Sequence, residues 1–437
     1  MDIAKKIIKN TTFNAAGYLW STAINFFLVP YIFSKLGSER FGIWAVVFVI
    51  TGYFGLLDFG IKGSFTRFIA DSWAKDDHRK INEVVNVGFL FYLLFAGVIS
   101  LIAFFFAPAI VRIIKVSGPV QEEATFALIG AIIIFGLSNS LGIFQSVING
   151  LQRMEITNKI VILLSLPKIL GTMIVLEFGY GLKGLIINNG IVMLFMAAIS
   201  SLYAMRLFSH LKISIFQFSW KTFKELFNYG IRIQVSNLSG LVNLQTDKLL
   251  LAYFLNMTTV AFYELGHKIT MLARSLPMLF FSALMPAAAE IYAKSDDIRV
   301  KKLYLKGSKY LYTIVIPVAF FLCISADIIM RVWMGRDYPI SALVIRFLTI
   351  GYFINLLAGV ATHIARGMGK VNYEVRSSTL VPVLNIILSI ILIIKMGLIG
   401  ALIATTFSVS VGSLYYLSLI HISEPTRPLY ISYAVFC

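Results

Sequence analysis

The stretch VGFLFYLLFAGVISLIAFFFA, residues 87–107, decides the fold class of this chain. It contains no charged side chain, and a helix of about 20 such residues is long enough to cross the hydrocarbon core of a bilayer. A transmembrane β-strand would need only about ten residues of alternating polarity, and this run is longer and uniformly apolar. The stretch therefore predicts a membrane-spanning helix.

The same pattern recurs along the chain of 437 residues, of which 58% are hydrophobic and 14% charged. A soluble protein cannot hide that much apolar surface. We predict an all-α polytopic membrane protein with about 12 transmembrane helices. The predicted spans are residues 12–33, 42–65, 87–107, 126–149, 160–178, 184–206, 228–253, 258–286, 310–328, 341–365, 378–395 and 397–417.

The basic residues indicate the orientation of these spans. With the N-terminus in the cytoplasm, the inner segments carry 22 Lys and Arg residues and the outer loops carry 8, as the positive-inside rule requires. This bias explains most of the net charge of +17. Because no basic stripe with interleaved aromatic residues occurs, nucleic acid is not an expected partner.

The chain also repeats itself, which predicts two six-helix lobes around a central cavity. NGLQRMEITN, from Asn149, is similar to RGMGKVNYE, from Arg366, and Gly150 pairs with Gly367 at a shift of 217 residues. We predict an N-terminal lobe at 1–206, a cytoplasmic linker at 207–224 and a C-terminal lobe at 225–416.

The segment 417–437 does not continue this pattern. Its first part, LSLIHISEPTR (417–427), looks like a translation of an adapter used in preparing sequencing libraries. We expect this tail to be non-native and leave it out of the fold prediction. The native C-terminus, with any further helices, would then lie outside this sequence.

Spans one and seven each carry one polar stripe. Its positions, at offsets of 0, 4, 7 and 11, lie within about 60° on a helix. Such a stripe faces a water-filled cavity or a polar helix partner, and hydrogen bonding between helices stays open as the alternative. The stripe residues are Asn14, Tyr18, Ser21 and Asn25 in span one, and Arg232, Ser236, Ser239 and Asn243 in span seven.

Charged residues inside spans mark function or buried pairs, because charge in hydrocarbon is costly. Arg274 and Lys168 have no carboxylate three or four residues away, which favours a cavity role. Glu264 and Lys268 are four residues apart and can pair on one helix face.

Three further charged residues belong to the same question. Asp58 and Lys62 can pair as Glu264 and Lys268 do. Arg67 can reach the inner membrane surface along its aliphatic stem. Asp247 lies about 22 Å along span seven from Arg232, too far for the two to pair.

Enzymatic signatures are absent from the sequence. No carboxylate pair, activated nucleophile or phosphate loop stands out. The two cysteines, Cys323 and Cys437, indicate neither a disulfide framework nor a metal site. We therefore predict a protein that is not an enzyme and has no cofactor.

Four stretches resemble the O-antigen and capsular polysaccharide flippases of the multidrug/oligosaccharidyl-lipid/polysaccharide exporter superfamily. The resemblance covers residues 1–416 and implies alternating access in a bacterial or archaeal cytoplasmic membrane. The substrate it implies is a polyprenyl-pyrophosphate-linked oligosaccharide, moved from the inner to the outer leaflet for surface polysaccharide assembly. The stretches are GLLDFGIKGSFTRFIA (55–70), NGLQRMEITN (149–158), TDKLLLAYFLNMTTVAFYELGHKI (246–269) and RGMGKVNYE (366–374).

This function would use the polar residues of the spans in three ways. Cations would hold the pyrophosphate, neutral polar groups would meet the glycan, and carboxylates would bind a proton or sodium ion as the coupling ion. Polysaccharide polymerase machinery is a further expected partner. The alternatives are a cation-coupled multidrug exporter, a membrane glycosyltransferase or ligase, and a channel. The expected residues are Lys62, Arg67, Lys168, Arg232, Lys268 and Arg274 for the pyrophosphate, Asn14, Tyr18, Ser21, Asn25 and Asn243 for the glycan, and Asp58, Asp247 and Glu264 for coupling.

Overall fold

The computed structural model is helical throughout, with no strand among the residues it describes. These are residues 3–58, 61–214, 218–281, 284–294, 296–370 and 372–422. Within them, side chains are described except those of 3–12, 15, 58, 62, 232–233, 235–244, 279–280, 297 and 420–422. The predicted all-α class is confirmed.

The described residues form fifteen α-helices and one short 3-10 helix at Gly55–Asp58. Their bounds are α1 Ile3–Phe54, α2 Ile61–Ala74, α3 His78–Ile113, α4 Pro119–Leu141, α5 Ile143–Gly150, α6 Met154–Glu177, α7 Gly181–Leu207, α8 Trp220–Phe254, α9 Met257–Phe281, α10 Leu284–Ala293, α11 Asp297–Met334, α12 Pro339–Leu357, α13 Gly359–Gly367, α14 Asn372–Met396 and α15 Leu398–Ile422.

The first predicted span and most of the second lie in α1, whose helical geometry is interrupted at Gly37. Gly37 has φ 74° and ψ 173°, a conformation that glycine adopts without the steric cost of a Cβ. The second predicted span, 42–65, is wrong at its end, because α1 stops at Phe54 and the 3-10 helix follows.

The predicted pairing of Asp58 with Lys62 stays a prediction, although the two residues belong to different helical elements. Asp58 ends the 3-10 helix and Lys62 lies in the first turn of α2. The spacing of a single continuous helix therefore does not apply to them. Both side chains lie outside the described part of the structure.

Nine helical segments of the described chain are long and apolar enough to cross a membrane. One of them, Ala16–Leu57, contains the break at Gly37 and accounts for two predicted spans. The predicted spans seven and eight correspond to α8 and α9, which carry several charged residues and are not among the nine. With this accounting, all twelve predicted spans have helices in the structure.

The chain divides into two compact units, Met1–Leu238 and Ser239–Cys437. In the first, α3 packs on α4, α6 on α7, and α1 on both α4 and α6. In the second, α14 packs on α15, and α12 packs on α9, α11 and α15. The predicted boundaries of the two lobes and of the non-native tail stay predictions.

Each unit contains a short helix directly after a long one: α5 follows α4, and α13 follows α12. A Cβ added to Gly150, at the end of α5, would lie 2.5 Å from the Ile69 side chain of α2. A Cβ added to Gly367, at the end of α13, would lie 2.4 Å from the Met285 carbonyl oxygen of α10. Both glycines therefore permit the same close contact in their own unit.

The segment after α7 is fixed to α3 by two asparagines one turn apart. The Asn82 side chain accepts from the Lys212 amide at 2.7 Å and donates to the His210 carbonyl at 2.9 Å. The Asn86 side chain accepts from the Ser214 amide at 2.8 Å and donates to the Lys212 carbonyl at 2.8 Å. Each amide thus satisfies a backbone donor and acceptor that no regular element pairs.

Two glycines test the packing of α3 on α4. A Cβ on Gly136 would lie 2.8 Å from the Ala96 backbone, whereas a Cβ on Gly97 would meet nothing within 4 Å. We expect Gly136→Ala to lower the free energy of unfolding by about 1–3 kcal/mol, as overpacked cores do. The measurement is thermal stability of the purified protein in detergent.

Gly97→Ala is the matched control, since both glycines lie inside apolar helices. It should leave stability unchanged or raise it slightly, because alanine favours the helix. Equal loss of stability in both variants would contradict the close packing at Gly136.

Candidate functional site

The second unit holds a buried cluster of charges at the facing parts of α8 and α9. The Glu264 carboxylate forms ion pairs with Lys248 at 2.6 Å and with Lys268 at 3.0 Å. The side chains of Lys248 and Glu264 are 6% and 10% exposed, so neither charge is solvated and each depends on the other. The predicted pair of Glu264 with Lys268 is confirmed.

Lys248 is the functional candidate that sequence reasoning missed. It follows Asp247 directly within a predicted span, and a lysine at that depth was the available signal. With one carboxylate between two ammonium groups, the cluster has a net positive charge. An anion that approaches α9 would therefore meet an electropositive surface.

Asp247 lies in a separate, mostly neutral network. It is 1% exposed and accepts three hydrogen bonds, from Tyr263 at 2.8 Å, Asn385 at 2.9 Å and Thr405 at 2.7 Å. The three donors come from α9, α14 and α15. Three neutral donors thus surround this buried carboxyl group, and no Lys or Arg of the described residues is in direct contact with it.

Arg274 lies about 9 Å further along α9 than Lys268, and no hydrogen bond or ion pair joins it to the Glu264 cluster. Its guanidinium donates to the Asn355 side chain at 2.9 Å and lies 4.8 Å from the centre of the Tyr352 ring. Asn355 in turn donates to Ser413 at 3.0 Å. Among the described residues, no carboxylate lies within salt-bridge distance of Arg274, so its charge is held by a π face and an amide.

In the first unit, the predicted stripe on α1 is only partly engaged. Asn14 accepts from Asn158 of α6 at 2.7 Å. Tyr18 and Asn25 are exposed and Ser21 is half-buried. These last three side chains form no hydrogen bond within the described part of the chain, which leaves them available to other molecules.

Arg67 and Lys168 are the two described candidate cations of the first unit. Arg67 is exposed, and its guanidinium lies 4.3 Å from the centre of the Tyr229 ring. Lys168 is half-buried in α6, and only its backbone carbonyl is engaged, by Asn188 at 3.1 Å. Neither side chain has a carboxylate partner in the described ranges.

The remaining candidates fall outside the described side chains. These are Lys62 and Asp58 in the first unit, Arg232 at the first unit's end of α8, and Asn243 in the second. The structure therefore joins Glu264 to Lys268, leaves Arg274 apart from them, and brings no other pair of candidates into contact within the described residues.

The sequence analysis also did not single out Arg346, a charged residue inside a predicted span, and the reason differs from that for Lys248. Arg346 of α12 pairs with Asp327 of α11 and donates to the Cys323 carbonyl at 3.1 Å. The two partners lie in different helices and 19 residues apart, so no local spacing could reveal the pair. Because the two opposite charges cancel, we interpret this ion pair as a structural link between α11 and α12.

Solved structures share this fold. An inward-facing multidrug resistance MATE family transporter of the MOP superfamily has a TM-score of 0.74, at 17% identity over 94% of this chain and 96% of that one. The lipid II flippase MurJ, in an inward closed conformation, has a TM-score of 0.73, at 16% identity over 98% and 91%. The chain thus has the two-lobed fold of these membrane transporters.

Sequence comparison identifies the family. Residues 7–292 match the family described as polysaccharide biosynthesis protein, and residues 233–391 match the MatE family. The chain belongs to the polysaccharide biosynthesis protein family. A relative from Shigella flexneri, named "Putative O-antigen transporter", is 26% identical over 93% of this chain and 96% of its own length.

The buried charge cluster can be tested by removing its carboxylate. Glu264→Gln leaves Lys248 buried beside an amide, and we expect a loss of about 3–5 kcal/mol in the free energy of unfolding. Thermal unfolding in detergent measures this loss. The double variant Glu264→Gln/Lys248→Met should recover most of the stability, because no buried charge is then left without a partner.

Glu290→Gln serves as the control. Glu290 pairs with Lys294 at 2.7 Å, but both side chains are largely exposed, so no measurable change is expected. If the double variant were less stable than Glu264→Gln alone, the cluster would not hold Lys248 and Glu264 as a dependent pair.

Proposed function

We propose that this protein is a flippase that moves a polyprenyl-pyrophosphate-linked oligosaccharide from the inner to the outer leaflet of the cytoplasmic membrane by alternating access. The observation that carries the proposal is Arg274, a membrane-embedded guanidinium held by a ring and an amide instead of a carboxylate. Such a group keeps its charge available for an anion. Membership in the polysaccharide biosynthesis protein family supports the same substrate class.

The pyrophosphate needs several cations, because it carries more than one negative charge in a place where water is scarce. In this proposal, Arg274 and Arg232 bind it first. Lys268 contributes the excess charge of the Glu264 cluster. Lys168 and Arg67, which have no carboxylate partner in the described ranges, contribute from the first unit, as does Lys62.

The glycan would meet neutral polar groups. Tyr18, Ser21 and Asn25 offer hydroxyl and amide groups that are not engaged within the described chain, and Asn243 offers an amide from span seven. Asn14 is held by Asn158 at 2.7 Å and would have to exchange this partner for a sugar hydroxyl. An exchange of one hydrogen bond for another is nearly neutral in free energy.

Transport against a gradient needs a coupling ion, for which we propose a proton or sodium ion at Asp247. Its carboxylate accepts hydrogen bonds from two hydroxyl groups and one amide. The carboxylate and hydroxyl oxygens are ligands that suit a hard cation. Glu264 is the weaker candidate, because two lysines already neutralise it. The third candidate is Asp58.

A cation-coupled multidrug exporter is the second candidate function, favoured by the MatE match over residues 233–391. An exporter of cationic drugs would need acidic residues in its binding cavity. Arg274 and Lys168, which have no carboxylate partner among the described residues, are cations, and this favours an anionic substrate. Asp247 is assigned to ion coupling in this proposal. For the flippase, we propose polysaccharide polymerase machinery as a further partner. The flippase itself carries out no chemical reaction.

Removal of the Arg274 charge tests the substrate site. In proteoliposomes with a polyprenyl-pyrophosphate oligosaccharide in the inner leaflet, Arg274→Ala should abolish exposure of the glycan outside. Arg331→Ala is the matched control, because Arg331 is exposed and paired with Asp337; it should transport as wild type. Normal glycan exposure with Arg274→Ala would refute the site, and efflux of a cationic dye without glycan exposure would favour the drug exporter.

Neutralisation of Asp247 tests the coupling site. Asp247→Asn keeps the size of the side chain and an oxygen that accepts hydrogen bonds, but removes the charge that would bind an ion. We expect glycan exposure by this variant to lose its response to an imposed sodium or proton gradient. Asp337→Asn, at an exposed carboxylate, should keep the response; a full response in Asp247→Asn would place the coupling ion elsewhere.

A further inference from the structure

An open groove runs between α10 and the first turns of α11, away from the residues proposed for transport. It has a volume of about 390 Å³. Its floor is apolar, with Leu284 and Ile291 from α10 and Leu303 from α11. Lys302 and Lys306 stand along its edge, so the groove combines an apolar channel with a cationic rim.

The two rim lysines lie one turn apart on the same face of α11, about 6 Å along the axis. Both are exposed, and neither has an ion-pair partner within the described residues. Like charges at this spacing repel each other and destabilise a helix. An anion bound between them would relieve this repulsion.

The carboxylates near the groove already have other partners. Asp296 accepts from the Arg299 side chain at 2.9 Å and caps the start of α11. Glu290 binds Lys294 at 2.7 Å, and this hydrogen bond lowers the pKa of the Glu290 carboxyl. These two described acidic groups, Asp296 and Glu290, therefore do not neutralise Lys302 and Lys306.

The exposed residues of α11 indicate how deep in the membrane the groove lies. Tyr310, at the end of the groove, is 67% exposed, and aromatic residues of this kind sit at the level of the lipid headgroups. Further along, Ile314, Ile324 and Ile328 are exposed apolar residues on a helix that crosses the membrane. Lys306 precedes Tyr310 by one turn, which would place the rim at the level of the headgroups, with the floor leading toward the hydrocarbon.

We propose that this groove binds an anionic glycerophospholipid, with its phosphate at Lys302 and Lys306 and one acyl chain along Leu284, Ile291 and Leu303. Charge complementarity selects the headgroup, and the apolar floor distinguishes a lipid from a free phosphate. The predicted orientation places this end of α11 at the cytoplasmic surface, where anionic lipids attract clusters of lysine. The site does not depend on which substrate the protein transports.

The test is native mass spectrometry of the intact protein, released from micelles that contain equal amounts of phosphatidylglycerol and phosphatidylcholine. We expect wild type to retain phosphatidylglycerol preferentially. The variant Lys302→Gln/Lys306→Gln should lose this preference by at least about fivefold, since each lysine near a lipid surface contributes about that factor. Both lysines are exposed, so the fold should tolerate their replacement.

Two further variants separate the parts of the site. Lys309→Gln changes an exposed lysine of the same helix that does not line the groove, and it should retain the lipid as wild type does. Leu303→Gln places a polar group in the apolar floor of the groove without a change in charge, and it should lower retention because the floor then binds the acyl chain less well.

Three results would overturn the proposal. Equal loss with Lys309→Gln and with Lys302→Gln/Lys306→Gln would indicate attraction by general surface charge. Displacement of the bound lipid by millimolar inorganic phosphate would indicate an anion site without a lipid. Retention of phosphatidylcholine equal to that of phosphatidylglycerol by wild type would show that the rim lysines select no headgroup.

Discussion

The hydrocarbon core of a bilayer offers no hydrogen-bond partner, and the rest of this structure depends on that constraint. The backbone meets this constraint by forming helices, in which its hydrogen-bond donors and acceptors pair with each other. Side chains within the spans meet it by pairing: Glu264 with two lysines, Asp247 with three neutral donors, and Arg346 with Asp327. Against this background, Arg274, which has a ring and an amide but no carboxylate, is the informative exception.

The two charge environments of the second unit differ in what they can exchange. The Glu264 cluster is bound by strong ionic contacts within two neighbouring helices, and its loss would leave buried charge unpaired. The Asp247 network draws its donors from three helices, and each donor is neutral. A cation bound at Asp247 would displace hydroxyl or amide donors and not another charged side chain, so no buried charge would lose its partner. This contrast separates a structural cluster from a candidate ion site.

Helices and local pairs could be predicted from the sequence, because their determinants are contiguous. Long apolar runs located the spans, and a spacing of four residues identified Glu264 with Lys268. The helix end at Phe54 was not predicted, because the apolar run continues through the break at Gly55–Asp58. The partners of Asp247 were also not predictable, since Asn385 and Thr405 lie 138 and 158 residues away and only the packing of α8 with α14 and α15 brings them together.

The two asparagines that fix the segment after α7 have a consequence for the conditions under which this attachment persists. Asn82 and Asn86 are uncharged, so their hydrogen bonds to the backbone neither titrate nor weaken with added salt. The nearby bond of Lys80 to Glu225, 2.8 Å long, is ionic and partly exposed, and salt screens such pairs. Added salt should therefore weaken the contact of α3 with α8 and leave the contact of α3 with the segment after α7 unchanged.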